Sequence, residues 1–117
     1  MRFAKTVLLS SVIGSMIAVS GFAGNDALIK KGEKIFNTKK LGNCLACHAV
    51  NGKNINNPGD LGPKLSGLAN YPDEYLYNKI YNPYTTNPIS AMPPFGLNGV
   101  LQPSDIKAVV AYLKTVK

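Results

Sequence analysis

The chain has 117 residues, 45% of them hydrophobic, and a formal net charge of +7 at pH 7. This length predicts one domain. Two cysteines only three positions apart close too short a loop to hold a small fold together by a disulfide. No basic run is longer than two residues, and the N-terminus predicts export, so the positive charge does not indicate nucleic-acid binding. A chain this small often needs stabilisation beyond its own hydrophobic core, and a large apolar cofactor at its centre would supply it.

The N-terminus has the layout of a secretory signal peptide. A basic start with Arg2 and Lys5 precedes an apolar run, and small residues up to Ala23 follow it. The alternative is a membrane anchor, but the run is shorter than the roughly 20 residues of a membrane span and is interrupted by serines and a glycine. We therefore expect cleavage of residues 1–23 and a periplasmic mature domain of residues 24–117, without a membrane span.

The first predicted element of the mature chain is a helix. Asn25 or Asp26 can cap a helix through residues 27–36, whose apolar side chains share one face. Gly32 in its interior costs about 1 kcal/mol relative to alanine, which indicates close packing against another element. A short helix is then expected to hold residues 44–48.

Proline and glycine divide the rest of the chain. Residues 51–62 form a predicted loop, and a third helix opens at Pro72 and ends at Asn82. Residues 81–101 contain too many prolines and glycines for a regular helix or a central strand, while their aromatic residues argue against disorder. A last helix begins near Ser104, the predicted N-cap. The predicted fold is all-α, with three to four short helices and long ordered loops.

The strongest chemical motif is C-x-x-C-H, formed by Cys44, Cys47 and His48. It is the attachment signature of a c-type haem. Two thiols three residues apart on a helical turn can reach both vinyl groups of one porphyrin, and the adjacent imidazole then lies under the iron. A zinc site would need four ligands, a thioredoxin-type pair would need a βαβ pattern, and a disulfide here would stabilise little.

The second axial ligand is predicted by elimination. His48 is the sole histidine, and Met1 and Met16 belong to the predicted signal peptide, which leaves Met92 as the one methionine of the mature chain. Met92 lies in a loop stiffened by prolines, although a methionine can also simply fill a core. Histidine–methionine ligation raises the reduction potential and favours electron transfer over oxygen chemistry.

Further residues are candidates for the wall of the haem site. His48 needs an acceptor for its second ring nitrogen, and the carbonyl of Pro63 is the best candidate, although the segment around it can also be a bare turn. Five apolar or aromatic side chains are candidates for contact with the haem, and ordinary core packing would explain each equally well: Leu65, Leu68, Tyr75, Tyr84 and Phe95.

These residues together resemble class I c-type cytochromes. The resemblance rests on Gly32 and Phe36, the C-x-x-C-H motif, Gly62-Pro63-x-Leu65, Met92-Pro93 and Ala111-Tyr112-Leu113. It implies a class I cytochrome c-like fold in which the first and last helices cross at Gly32, against Val109 or Tyr112. It also implies one covalently bound haem c, with Pro63 and Leu65 in its binding site.

A narrower resemblance is to the SoxX family. It rests on the strings around residues 42–48, 58–67, 87–95 and 109–113 and covers most of residues 32–115. It implies a periplasmic heterodimer with a SoxA-type dihaem or monohaem cytochrome subunit, which oxidatively joins thiosulfate to a cysteine of a SoxY-type carrier. The present chain would accept the electrons and pass them to a downstream acceptor. The short link after Phe95 departs from longer members of that family.

Two other functions remain open at this stage. The chain could be a free-standing, diffusible cytochrome, or a haem enzyme or gas sensor with an open iron site. The sequence offers no catalytic residue of its own, because no second histidine and no nucleophile remain once the two cysteines are used. We therefore expect that catalysis, if it occurs, belongs to a complex.

Overall fold

A computed structural model describes residues 16–53, 55 and 57–117, so residues 1–15 of the predicted signal peptide lie outside the described part. Three α-helices form the frame: α1, Met16–Asn37; α2, Asp73–Tyr81; and α3, Pro103–Leu113. Single 3-10 turns lie between them at Cys44–Ala46, Leu68–Asn70 and Pro83–Thr85. The described ranges contain no strand, only an isolated bridge between Val50 and Leu65. None of the helices described is both long enough and apolar enough to cross a membrane.

Helix α1 begins earlier than predicted. In the full chain it starts at Met16, so Asn25 and Asp26 lie inside the helix and do not cap it, and the cap stays a prediction for the mature chain of residues 24–117. The helix starts early because no proline interrupts the sequence between Met16 and Asp26, and helical hydrogen bonds can continue through these residues. The helix ends at Asn37, one residue beyond the predicted end.

The crossing of α1 and α3 depends on Gly32. A Cβ atom at this position would lie 1.9 Å from the carbonyl oxygen of Ala108 and 2.9 Å from the Cβ of Tyr112. Only glycine allows so close an approach of two backbones. The buried Tyr112 ring packs against Phe36 with ring centroids 5.5 Å apart. The predicted contact of Gly32 with Tyr112 is confirmed.

Helix α3 supplies much of the core, and its start differs from the prediction. The N-cap is Gln102, in an extended conformation, rather than Ser104. Pro103 occupies the first helical position, where its fixed φ and missing N–H are tolerated best, and Ser104 therefore lies in the first turn. The N–H of Gln102 donates to Oδ2 of Asp105 at 2.9 Å, which fixes the helix start.

Helix α2 has the predicted bounds. Pro72 precedes it, Asn82 caps its C-terminal end, and Leu76 and Ile80 are buried on the face towards the core. The loop that follows, residues 82–101, begins with the 3-10 turn at Pro83–Thr85 and otherwise contains only turns and bends. We call it the Met92 loop.

Candidate functional site

A cavity of about 680 Å³ is lined by residues from all three helices and from the segments between them. Its volume is within the range of roughly 300–1,000 Å³ that is usual for cofactor sites. It brings together all six of the predicted site residues. Those are Cys44, Cys47, His48, Pro63, Leu65 and Met92.

The Cys44–Ala46 turn places both thiols at the cavity. Asn43 precedes it with a left-handed backbone (φ 49°), and the N–H groups of Cys47 and His48 both donate to the carbonyl of Cys44, at 3.1 and 3.0 Å. The two cysteines are not joined to each other. Burial raises the pKa of the Cys44 thiol to about 12. Before haem attachment, Cys44 is therefore a protonated thiol at neutral pH, unlike the thiolate of a redox-active or nucleophilic cysteine.

The ring of His48 is held by one hydrogen bond and one close contact. Its Nδ1 lies 2.7 Å from the carbonyl oxygen of Pro63. Because a carbonyl can only accept, Nδ1 carries the proton and Nε2 keeps a lone pair that can bind a metal. Gly62 lies directly beside the ring, since a Cβ there would be 2.4 Å from Cε1 of His48. The turn around Pro63 is thus a support for the imidazole.

Residues 59–65 run along the cysteine motif and are bonded to it through the backbone. Three of their N–H groups donate to backbone carbonyls in or next to the motif: Gly59 to Leu45 at 2.9 Å, Gly62 to Cys47 at 2.8 Å, and Leu65 to Ala49 at 2.8 Å. A Cβ at Gly59 would lie 1.6 Å from the carbonyl oxygen of Ala46. Sequence reasoning missed the roles of Gly59 and Gly62. Two glycines only three positions apart could have indicated a close approach of the backbone to another segment. The sequence does not show that this segment is the cysteine motif, 13 to 14 positions earlier.

Met92 reaches the same cavity from the Met92 loop. Its side chain is half-buried and packs against the core, and its N–H donates to Oγ of Ser90 at 3.1 Å. Two prolines follow, of which Pro94 is buried. The structure therefore brings an imidazole and a thioether to one cavity from segments more than 40 residues apart in the sequence.

The remaining predicted wall residues divide into two groups. Leu68, Tyr75 and Phe95 line the cavity. Tyr84 does not line it, because it lies on the Pro83–Thr85 turn and its side chain is outside the cavity wall. The structure adds residues that sequence reasoning missed, among them Lys79, which shares one face of α2 with Tyr75. Because residues four positions apart share one face of a helix, the prediction for Tyr75 could have been extended to Lys79.

This donor set fits a covalently attached haem. Two thiols on one turn, an imidazole with a free Nε2, a thioether and a largely apolar wall match the needs of that group. A bare metal site has no comparable support, since the described residues contain no group of three or more His, Cys, Asp or Glu side chains able to hold an ion. When bound, haem c supplies an iron that exchanges one electron. Fold and site together define a c-type cytochrome.

Comparison with known proteins agrees with this class. The model of the family "Cytochrome C oxidase, cbb3-type, subunit III" matches residues 27–113, and the chain belongs to this family of cytochrome c domains. The fold is thus class I cytochrome c-like, as predicted, the cofactor is covalently bound haem c, and the general function is electron transfer.

The relatives found include two cytochromes and one lipoprotein. "Cytochrome c2 iso-1" of Magnetospirillum fulvum is 37% identical over 92 residues, which cover 63% of this chain and 91% of that protein. Its namesake in Magnetospirillum molischianum is 37% identical over 97 residues, 63% and 90% of the two chains. An uncharacterized lipoprotein of Aquifex aeolicus is 41% identical over 93 residues, 74% of this chain. The match spans only 45% of that lipoprotein's length.

Proposed function

We propose that the protein is an exported monohaem electron-transfer cytochrome whose haem is bound by Cys44 and Cys47, with His48 and Met92 as the axial ligands. The observation that carries this proposal is the meeting of His48 and Met92 at one cavity, with Nδ1 of His48 bonded to Pro63. The net reaction moves one electron: a donor is oxidised, an acceptor is reduced, and no atom is transferred.

Each residue has a separate task in this proposal. The Pro63 carbonyl fixes the tautomer and orientation of His48, and the hydrogen bond raises the basicity of the ligand nitrogen. With haem bound, the thioether of Met92 would favour the reduced state of the iron and would compete with a gas for binding. Apolar side chains such as Leu68 and Phe95 keep water away from the site.

Export and a periplasmic location are part of the proposal. The layout of residues 1–23 supports export, as does similarity to cytochromes and to a protein named as a lipoprotein. N-terminal sequencing of the protein from a host that attaches haem c would test it. A mature chain beginning near residue 24 supports export, whereas an intact N-terminus on a haem-loaded protein contradicts the predicted cleavage.

Met92→Ala tests the ligand assignment. The variant should lose the methionine–iron charge-transfer absorption, show a lower reduction potential and bind carbon monoxide in the ferrous state. Ile89→Ala is the matched control, because Ile89 is in the same loop but 91% exposed, and it should match the wild type. An unchanged spectrum and potential in Met92→Ala would show that Met92 is not the ligand. Carbon monoxide binding by the native wild type at neutral pH, at a rate as fast as in Met92→Ala, would favour the gas-sensor or enzyme alternative.

Two electron-transfer roles fit this site equally. The strings shared with SoxX favour a subunit that pairs with a SoxA-type cytochrome and serves a SoxY-type carrier, and this partnership stays a prediction. Similarity to the cytochromes c2 favours a free-standing carrier. Tagged purification from periplasm of cells grown on thiosulfate separates the two. A stoichiometric second cytochrome supports the SoxX-like role, and a lone red protein supports the diffusible carrier.

A further inference from the structure

The Met92 loop is attached to the C-terminal end of α2. A helix leaves its last carbonyl groups without partners inside the helix, and Pro83 prevents α2 from continuing. Three N–H groups of the loop bond to these carbonyls: Phe95 to Ile80 at 3.1 Å, Gly96 to Tyr81 at 3.2 Å and Leu97 to Tyr81 at 3.1 Å. The segment just after Met92 thus completes the hydrogen bonding of the helix.

A side-chain contact fixes the same attachment. The ring of Tyr81 lies directly beside the backbone of Gly96, where a Cβ atom would be 2.0 Å from Cδ2 and 2.6 Å from Cγ of the ring. On its own helix the ring stacks with Tyr77, at a centroid distance of 6.1 Å and an interplanar angle of 11°. Because Cγ is close to the helix backbone and Tyr77 braces the ring, Tyr81 cannot easily move away from an added methyl group.

The link between this attachment and Met92 is short and stiff. Only Pro93 and Pro94 separate Met92 from Phe95. Proline fixes φ near −65° and restricts the residue before it, so this link has little freedom. On the other side of Met92, the hydroxyl of Ser90 accepts the Met92 N–H. A displacement at residues 95–97 is therefore transmitted to the Met92 side chain rather than absorbed.

We propose that Tyr81 and Gly96 are positioning residues for the Met92 ligand, and that the contact of the Tyr81 ring with the Gly96 backbone keeps the thioether in the haem cavity. This inference rests on the proposed ligation by Met92. If this contact were released, the Met92 loop could swing away from α2 and carry the thioether out of the cavity, while the Pro63 support of His48 would stay unchanged. The contact sets how often a small ligand can enter.

The test compares Gly96→Ala, Tyr81→Leu and the double variant Gly96→Ala/Tyr81→Leu in the haem-loaded protein. Gly96→Ala should lose part of the methionine–iron absorption and bind carbon monoxide roughly tenfold faster, because overpacking of this kind shifts an equilibrium by about that factor. Tyr81→Leu should have a smaller effect of the same sign. In the double variant the methyl group no longer meets a ring, so the absorption should recover relative to Gly96→Ala.

Hydrogen exchange of the Phe95, Gly96 and Leu97 amides reports on the attachment directly and should speed up in Gly96→Ala. Tyr84→Ala is the matched control, since Tyr84 follows α2 closely but does not line the cavity. The proposal is overturned if Gly96→Ala and Tyr81→Leu both behave like this control, or if the double variant is no better than Gly96→Ala. If Gly96→Ala does not fold, Tyr81→Leu alone decides.

The Met92→Ala variant separates this proposal from the ligand assignment. If Met92→Ala opens the iron while the Tyr81 and Gly96 variants do not, only the positioning role fails. If Met92→Ala changes nothing, both the ligation and the positioning role fail.

Discussion

The two sides of the cavity hold the two proposed iron ligands, His48 and Met92, in different ways. On one side, His48 is part of the cysteine motif itself, and residues 59–65 follow that motif with three backbone hydrogen bonds and a Pro63 carbonyl on the ring. On the other side, Met92 belongs to a long loop that is attached to the end of α2 beyond two prolines. The first ligand is fixed by its own neighbours and the second by a distant helix.

This difference predicts how each side responds to perturbation. Opening the His48 side requires several backbone hydrogen bonds to break at once, together with the covalent links of the proposed haem attachment. Opening the Met92 side requires only the release of one loop from one helix end. We therefore expect ligand exchange and local unfolding to begin at Met92 and to spare His48.

Gly62→Ala perturbs the His48 side of the cavity and should cause the largest loss of stability. The new methyl group would lie 2.4 Å from Cε1 and 2.8 Å from Nδ1 of His48, which displaces the ring and breaks its bond to Pro63. We expect a loss of about 2–4 kcal/mol in unfolding free energy, from overpacking plus one hydrogen bond. Denaturant unfolding and the reduction potential of the haem-loaded protein measure it.

Gly52→Ala is the control for Gly62→Ala. Gly52 has a left-handed backbone (φ 77°), but an added Cβ there meets nothing within 4 Å. It should lose stability through backbone strain alone, about 1–2 kcal/mol, and keep the wild-type spectrum. An unchanged spectrum and potential in Gly62→Ala would contradict the support given to His48 by this turn.

Ser90→Ala weakens the Met92 side upstream of the ligand. The Met92 N–H loses its acceptor, which costs about 1 kcal/mol, or a factor of about five in the closed-to-open ratio of the loop. Carbon monoxide binding to the ferrous protein should accelerate by about that factor, with His48 unaffected. Ser104→Ala should be neutral, because Gln102 and not Ser104 caps α3. Equal rates in both variants would contradict a positioning role for Ser90.

Lys79→Gln should have the smallest effect on the Met92 side. The ammonium group donates to Oγ1 of Thr86 at 2.7 Å and lies 5.5 Å from the centroid of the Tyr75 ring. These contacts are exposed to solvent, so their loss should lower stability by only about 0.5–1 kcal/mol. Thermal unfolding against Lys107→Gln, a lysine of α3 with an exposed side chain, measures the difference. A larger loss of stability in Lys107→Gln would show that the contacts of Lys79 with Thr86 and Tyr75 do not stabilise the protein.

The sequence predicted what depends on local rules. Pro72 and Asn82 bounded α2 correctly, because proline and the residue before it restrict the backbone directly. The cysteine motif predicted the cofactor because its spacing matches the chemistry of attachment. Gly32 predicted a helix crossing, since a glycine inside a helix is costly unless something approaches closely.

What the sequence could not predict depends on contacts between distant segments. The packing of Gly62 on His48 joins residues 14 positions apart through a loop without regular structure. Among the tyrosines, the sequence does not distinguish Tyr81, whose ring packs on Gly96, from Tyr84, which does not line the cavity. The 3-10 turn after α2 changes the helical register between them. The start of α3 was misplaced because Gln102 is an uncommon cap and depends on Asp105.

The proposed function depends most on the thioether of Met92, which together with His48 would bind the haem iron. The most direct measurement is the NMR spectrum of the ferrous, haem-loaded protein carrying 13C-labelled methionine methyl groups. The Met92 methyl resonance should be displaced far upfield by the ring current of the haem, and it should be missing in Met92→Ala. A Met92 methyl resonance at an ordinary position, in a protein that keeps its six-coordinate spectrum, would contradict ligation by Met92.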